Sequence, residues 1–214
     1  MKKYNIKNMK NLNKDEIMET ISIIMIGDSS VGKSTLMKKF VSGEFSDCLN
    51  PTLGVELCKK ELTINDKPIL YRIWDTCGQE RYRSLCKSYF RNSDGIMLLF
   101  NLNSINSFEN LSLWLNSIKE TGLENMPLII VGTKSDLESQ ISEEMIQNFV
   151  FGNNLINKYF KCSSKNNIGI DEPFLELANL IIEINNQRKN KTIKNKKIKI
   201  NKKVKGKKTK KKFC

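Results

Sequence analysis

The chain contains no histidine, which excludes histidine-based acid–base, triad and metal-ligand chemistry. Its six cysteines, at positions 48, 58, 77, 86, 162 and 214, form no C-x-x-C pair, which argues against the common zinc sites. No apolar run approaches the ~20 residues that span a bilayer, and no hydrophobic h-region supports secretion. The cysteines therefore read as reduced cytosolic thiols. Gly does not follow Met1, so N-myristoylation is not signalled. Acids are missing from residues 187 to 214, which hold fifteen of the 36 Lys and Arg. The remaining 21 bases face 23 acids, so the rest of the chain carries −2 although the whole carries +13. The basicity belongs to a tail. That argues against a DNA-reading face on the domain and for a tail that seeks an anionic surface.

What is present is organised around Gly27-Asp28-Ser29-Ser30-Val31-Gly32-Lys33-Ser34, a G-x-x-x-x-G-K-[ST] phosphate-binding loop. The apolar, β-branched run from Ile21 to Ile26 before it predicts a buried parallel strand. After it, Leu36 and Phe40 stand four apart, on one helix face. In that context successive N–H groups from Asp28 to Thr35 can wrap a phosphate at a helix N-terminus. Lys33 would neutralise the β- and γ-phosphates, and the Ser34 hydroxyl would ligate Mg²⁺.

The rest alternates strands with helices. Strands are expected at Val55 to Ile64 and Ile69 to Trp74 around a hairpin at Asn65–Pro68, then at Ile96 to Leu102, Pro127 to Val131 and Tyr159 to Cys162. Helices are expected over Ser107 to Thr121, with Phe108, Leu111, Leu115 and Ile118 on one stripe, near Ser142 to Phe151, and over Asp171 to Ile184. This pattern predicts an α/β fold, a six-stranded, mostly parallel sheet with helices on both faces, whose ligand binds at the carboxyl ends of the strands. The expected domains are a disordered extension at 1–19, a globular domain at 20–186 and a polybasic tail at 187–214.

Five motifs in order and spacing then carry a resemblance over about residues 20 to 186: the phosphate loop, Thr52, Asp75 to Gln79, Thr133-Lys134-Ser135-Asp136, and Ser163-Ser164-Lys165. Together they resemble the Ras superfamily of P-loop small GTPases, and Trp74-Asp75-Thr76-Cys77-Gly78-Gln79-Glu80-Arg81-Tyr82 is similar to its Rab branch. The resemblance implies GTP/GDP and Mg²⁺ as ligands. Asp136 would accept from two guanine donors, a bidentate pairing that adenine does not offer. Lys134 would lie along the base, Phe45 would pack on its other side, and a backbone N–H near Ser164 would meet the guanine oxygen, with Ser163 and Lys165 alongside. Thr52 would ligate Mg²⁺ and contact the γ-phosphate, Asp75 would hold the metal through water, and the Gly78 N–H would meet the γ-phosphate. Gln79 would orient the attacking water in a slow hydrolysis that an activating protein accelerates.

Several positions depart from the family pattern. Thr133 stands where the family usually has Asn, Ser164 where it has Ala, and Cys77 where a small Ala is expected beside Gly78. Leu57 replaces the Phe of a surface aromatic triad whose other members, Trp74 and Tyr89, match. The terminal Cys214 is implied to carry a prenyl group, although the usual Rab ending has two cysteines. The implied partners are an exchange factor, a GTPase-activating protein and effectors at the switch loops, a prenylation escort, a GDP-dissociation inhibitor, and an anionic membrane on the cytosolic face of an organelle. Two other readings stay open. One is a nucleotide-bound scaffold that hardly turns over, motivated by Cys77. The other is a nuclear or RNA-associated GTPase using Lys205 to Lys212.

Overall fold

The computed structural model describes residues 19–46, 52, 54–77 and 91–189. Gly78, Gln79, Tyr89, Cys214, residues 1–18 of the expected extension and the tail from residue 190 lie outside the described residues.

The first strand, β1 (Glu19–Ile26), leads through the phosphate loop into α1 (Lys33–Ser42). Gly43 ends that helix in a left-handed conformation, its N–H donating to the Lys39 carbonyl at 3.0 Å. Then come β2 (Val55–Ile64), β3 (Lys67–Thr76) and β4 (Gly95–Asn101). A short α2 (Ile105–Glu109) and α3 (Leu111–Lys119) follow, then β5 (Leu128–Thr133), α4 (Glu143–Phe151) and β6 (Lys158–Lys161). The last helix, α5, spans residues 171–189.

The six strands lie in the order β2-β3-β1-β4-β5-β6, antiparallel between β2 and β3 and parallel elsewhere. The predicted α/β sheet is therefore observed. β1 lies between β3 and β4, so the chain passes to opposite sides of it. The phosphate loop leaves the carboxyl end of β1 at this switch in strand order, where such sheets bind ligands.

Alternation along the strands divides the core into two layers. Ile21, Ile23 and Met25 of β1 join Met97 and Leu99 of β4 under α1 and α5. Ile24 and Ile26 join Ile96, Leu98 and Phe100 under α3 and α4. In the first layer Phe40 stacks on Phe174 with centroids 3.9 Å apart, and Tyr71 meets both rings edge-on. The buried Tyr71 hydroxyl donates to the Phe174 carbonyl at 3.0 Å.

Several element boundaries differ from the sequence reading, and β1 already begins at Glu19, the last residue assigned to the extension. The hairpin is a two-residue turn, with Asn65 at φ 51° and Asp66 at φ 60°, and β3 begins already at Lys67. Both central residues of such a turn need positive φ, which Asn and Asp tolerate. The single helix expected over 107–121 is α2 followed by α3, starting at Ser104, whose hydroxyl accepts from the Ser107 N–H. Its buried stripe also takes in Trp114, which the sequence reading omitted. α5 continues to residue 189, three residues into the stretch assigned to the tail.

Replacing Tyr71 by Phe is expected to cost about 1 kcal/mol, the net worth of one buried hydrogen bond. Phe174→Ala removes a stacked core ring and is expected to cost roughly 3–5 kcal/mol. Urea denaturation of the two nucleotide-loaded variants measures the difference.

Candidate functional site

The loop after β1 keeps its backbone open. Gly27 has φ 136°, and a Cβ there would lie 2.2 Å from the Leu99 carbonyl oxygen, so no other residue fits. Gly32 occupies the N-cap of α1 at φ 98° and supplies no side-chain cap, leaving the first-turn N–H groups to an anion. Ser29 and Ser30 are exposed, Val31 is buried, and Thr35 is half-buried in the first turn of α1. The Lys33 ammonium folds back along the loop, donating to the carbonyls of Gly27 at 2.9 Å and Asp28 at 2.7 Å.

Three oxygen-bearing side chains meet beside that helix start. Ser34 Oγ lies 2.8 Å from Thr52 Oγ1 and donates to Asp75 Oδ2 at 2.5 Å, and Thr52 Oγ1 donates to the same oxygen at 3.3 Å. Parallel pairing of β1 with β3, with Met25 opposite Asp75, brings the carboxylate here. Asp75 is fully buried, and burial raises its carboxyl above the ordinary range against the opposing pull of Ser34 and Lys33. Its Oδ1 is buried with no hydrogen-bond partner. Two hydroxyls and a carboxylate with an orphaned oxygen fit a hard divalent cation such as Mg²⁺. Among the described residues no cluster of three or more His, Cys, Asp or Glu is placed to hold a metal ion.

A third group of residues gathers at the ends of β5 and β6. Thr133 Oγ1 lies 2.5 Å from the Val31 carbonyl and 3.0 Å from that of Phe100. One hydroxyl proton faces two backbone acceptors, so Thr133 ties the phosphate loop to β4 and β5. Lys134 takes a left-handed φ of 58°. Asp136 Oδ1 accepts from Ser163 Oγ at 2.6 Å, and Ser163 Oγ in turn accepts from the Asn166 N–H at 3.0 Å. The Ser135 N–H donates to the Cys162 carbonyl at 3.0 Å, joining the two loops. Ser164 and Lys165 open the turn after Ser163, and Lys165 is exposed. Phe45 is half-buried just beyond α1. Burial pushes the Cys162 thiol up to about 12, so it packs and does not react.

The departures from the family pattern have visible settings. Cys77 is buried, and its N–H donates to the Gly54 carbonyl at 2.8 Å. Leu57 pairs across the strands with Trp74. Asp28, expected among the nucleotide contacts, directs its carboxylate to Asn110 and Trp114 of the α2–α3 segment. Neither residue was singled out from the sequence. Their spacing of four, a polar residue and an indole on one helix face, was the available signal.

Residues 22–183 match the model of the Ras family. The chain is 34% identical over 158 residues to GTP-binding protein ypt2 of Schizosaccharomyces pombe, covering 74% of this chain and 79% of that protein. It is 34% identical over 169 residues to Ras-related protein Rab7 of Drosophila melanogaster, covering 77% and 81%. It is equally identical, 34% over 169 residues, to Ras-related protein SEC4 of Saccharomyces cerevisiae, covering 79% and 77%.

Asp136→Asn turns a carboxylate with two acceptors into one acceptor and one donor. The expected outcome is an exchange of guanine for xanthine preference. Equilibrium binding of GTP and XTP checks it, and an unchanged order of affinities contradicts the base-reading role.

Proposed function

Since this chain belongs to the Ras family and is a Rab-like small GTPase that hydrolyses GTP, we propose that it acts as a switch in vesicle trafficking at an organelle membrane. The observation that carries the nucleotide site is the meeting of Ser34, Thr52 and Asp75 beside the uncapped start of α1. Lys33 and the loop N–H groups from Asp28 to Thr35 hold the phosphates. Ser34 and Thr52 would hold Mg²⁺, with Asp75 holding it through water, and the metal would supply charge stabilisation to the phosphates. Asp136, positioned by Ser163, reads guanine; Lys134, Phe45, Ser164 and Lys165 complete the base pocket. Thr52 and the Gly78 N–H sense the γ-phosphate, and its loss frees both switch loops.

Gln79 orients the attacking water. An activating protein supplies an arginine to the transferred phosphate in trans, worth roughly 10³–10⁵ in rate. Cys77, buried next to Gly78, favours slow intrinsic turnover. Single-turnover hydrolysis tests this. A slow rate that an activating protein raises, and that Gln79→Leu abolishes, supports the switch. A rate untouched by both leaves a nucleotide-bound scaffold. Exchange factor and effectors meet the same switch loops.

Among the described residues no helix is long and apolar enough to cross a membrane. The proposed anchor is the basic stretch at 187–214, which begins in the last turn of α5, together with a single prenyl group on Cys214. One lipid chain binds reversibly, and a polybasic patch is the second signal. Each Lys near an anionic leaflet contributes about 1 kcal/mol. A prenylation escort and a GDP-dissociation inhibitor handle the lipid.

Two outcomes are expected. Ser34→Asn removes a metal-ligating hydroxyl and weakens Mg²⁺-dependent GTP binding more than GDP binding. Equal affinities with unchanged Mg²⁺ dependence contradict that. In flotation with anionic vesicles, Cys214→Ser and neutralisation of Lys202 to Lys212 each shift lipid-processed protein to the soluble fraction. A Cys214→Ser protein that floats like wild type removes lipidation as the anchor. Wild type that ignores anionic vesicles and concentrates in nuclei turns the tail into an import signal.

A further inference from the structure

The Asp28 carboxylate, in the phosphate loop, is engaged on both oxygens by neutral donors from one helical segment. Asn110 Nδ2 donates to Oδ2 at 2.7 Å and Trp114 Nε1 donates to Oδ1 at 2.9 Å. Positions 110 and 114 are one turn apart, so the two donors stand above each other on one face. Asn110 occupies the N-cap of α3, where an Asn side chain ordinarily accepts from the helix's own first turn. It makes no such bond and reaches the loop instead. Trp114 is buried with its indole N–H directed at the same carboxylate. The backbone carbonyl of Asp28 accepts from Lys33 Nζ at 2.7 Å, so the residue held by the helix also holds the lysine. Three residues on, the Val31 carbonyl is held by Thr133.

A carboxylate in a loop that receives a polyphosphate is a repulsive element, and partly buried charges are screened weakly by salt. We infer that Asn110 and Trp114 are positioning residues that draw the Asp28 charge toward α3 and fix the loop, so that α3 sets how long the nucleotide stays bound. This rests on the guanine-nucleotide reading of the site.

The two donors and the carboxylate act against each other once separated, which a purely structural contact would not do. With the donors gone and Asp28 left, the free carboxylate competes for Lys33 and repels the phosphates. With Asp28 gone as well, the repulsion disappears. The test is release of tritiated GDP from full-length protein, chased with unlabelled GDP. It compares wild type, Asn110→Ala, the pair Asn110→Ala/Trp114→Phe, and that pair carrying Asp28→Ala. Hydrogen bonds to a charged group weigh roughly ten- to a hundredfold in an equilibrium constant. Release is therefore expected to quicken about tenfold or more in the pair and less in Asn110→Ala, which leaves the packed indole in place. Adding Asp28→Ala is expected to slow it again. Release at the wild-type rate from both Asn110→Ala and the pair overturns the inference. So does a triple variant as fast as the pair. Wild type that retains no GDP overturns the site reading itself, and the inference with it.

Discussion

A carboxylate buried at the end of a central strand has to be compensated, and the site is built around that requirement. Asp75 lies at the carboxyl end of β3, closed to solvent. Removing an ionised carboxylate from water costs several kcal/mol unless partners replace the lost hydration. Two hydroxyls and the nearby Lys33 ammonium supply part of it, and the raised pKa direction records that the compensation is incomplete. Its neighbour Thr76 is spent on the β1 backbone, donating to the Met25 carbonyl at 2.8 Å. The unmatched Oδ1 leaves one buried acceptor without a hydrogen-bond donor. Ser34 from the start of α1 and Thr52 from the loop before β2 are thereby drawn to one point.

The phosphate loop shows the complementary constraint. Its N–H groups must stay open to an anion, so it cannot be stabilised through them. It is held through its carbonyls and one side chain: Lys33 on Gly27 and Asp28, Thr133 on Val31, and Asn110 and Trp114 on the Asp28 carboxylate. Thr133 carries a consequence of its own. An amide at this place has two donor hydrogens and can serve both backbone and base, whereas a hydroxyl has one. With that proton facing backbone carbonyls, the discrimination proposed at the base edge is left to Asp136, whose Oδ1 accepts from Ser163 Oγ.

Much of this was legible in the chain. The β-branched run from Ile21 to Ile26, the glycines of the phosphate loop and the Asn65-Asp66 turn express local rules: side-chain branching, permitted φ, and periodicities of 2 and 3.6. Ser34, Thr52, Asp75, Asp136 and Ser163 were found by motif, and the structure brings them to one edge of the sheet. Gly78 and Gln79 lie outside the described residues, so their part in the site rests on the motif alone.

By itself the sequence determined the α/β class, the place of the phosphate loop and the split between a near-neutral domain and a basic tail. Each of these depends on neighbours in the chain or on composition. Only the tertiary structure decided what the side chains do with their hydrogens. Asp28 and Trp114 are 86 positions apart, and Thr133 and Val31 are 102 apart. No local preference couples residues at such distances. They meet because β1, β4 and β5 pair in parallel register, which carries the start of α3 and the end of β5 to the same edge as the loop after β1. A hydroxyl or indole N–H is read as ligand contact or as scaffold only once that register fixes which acceptor it faces.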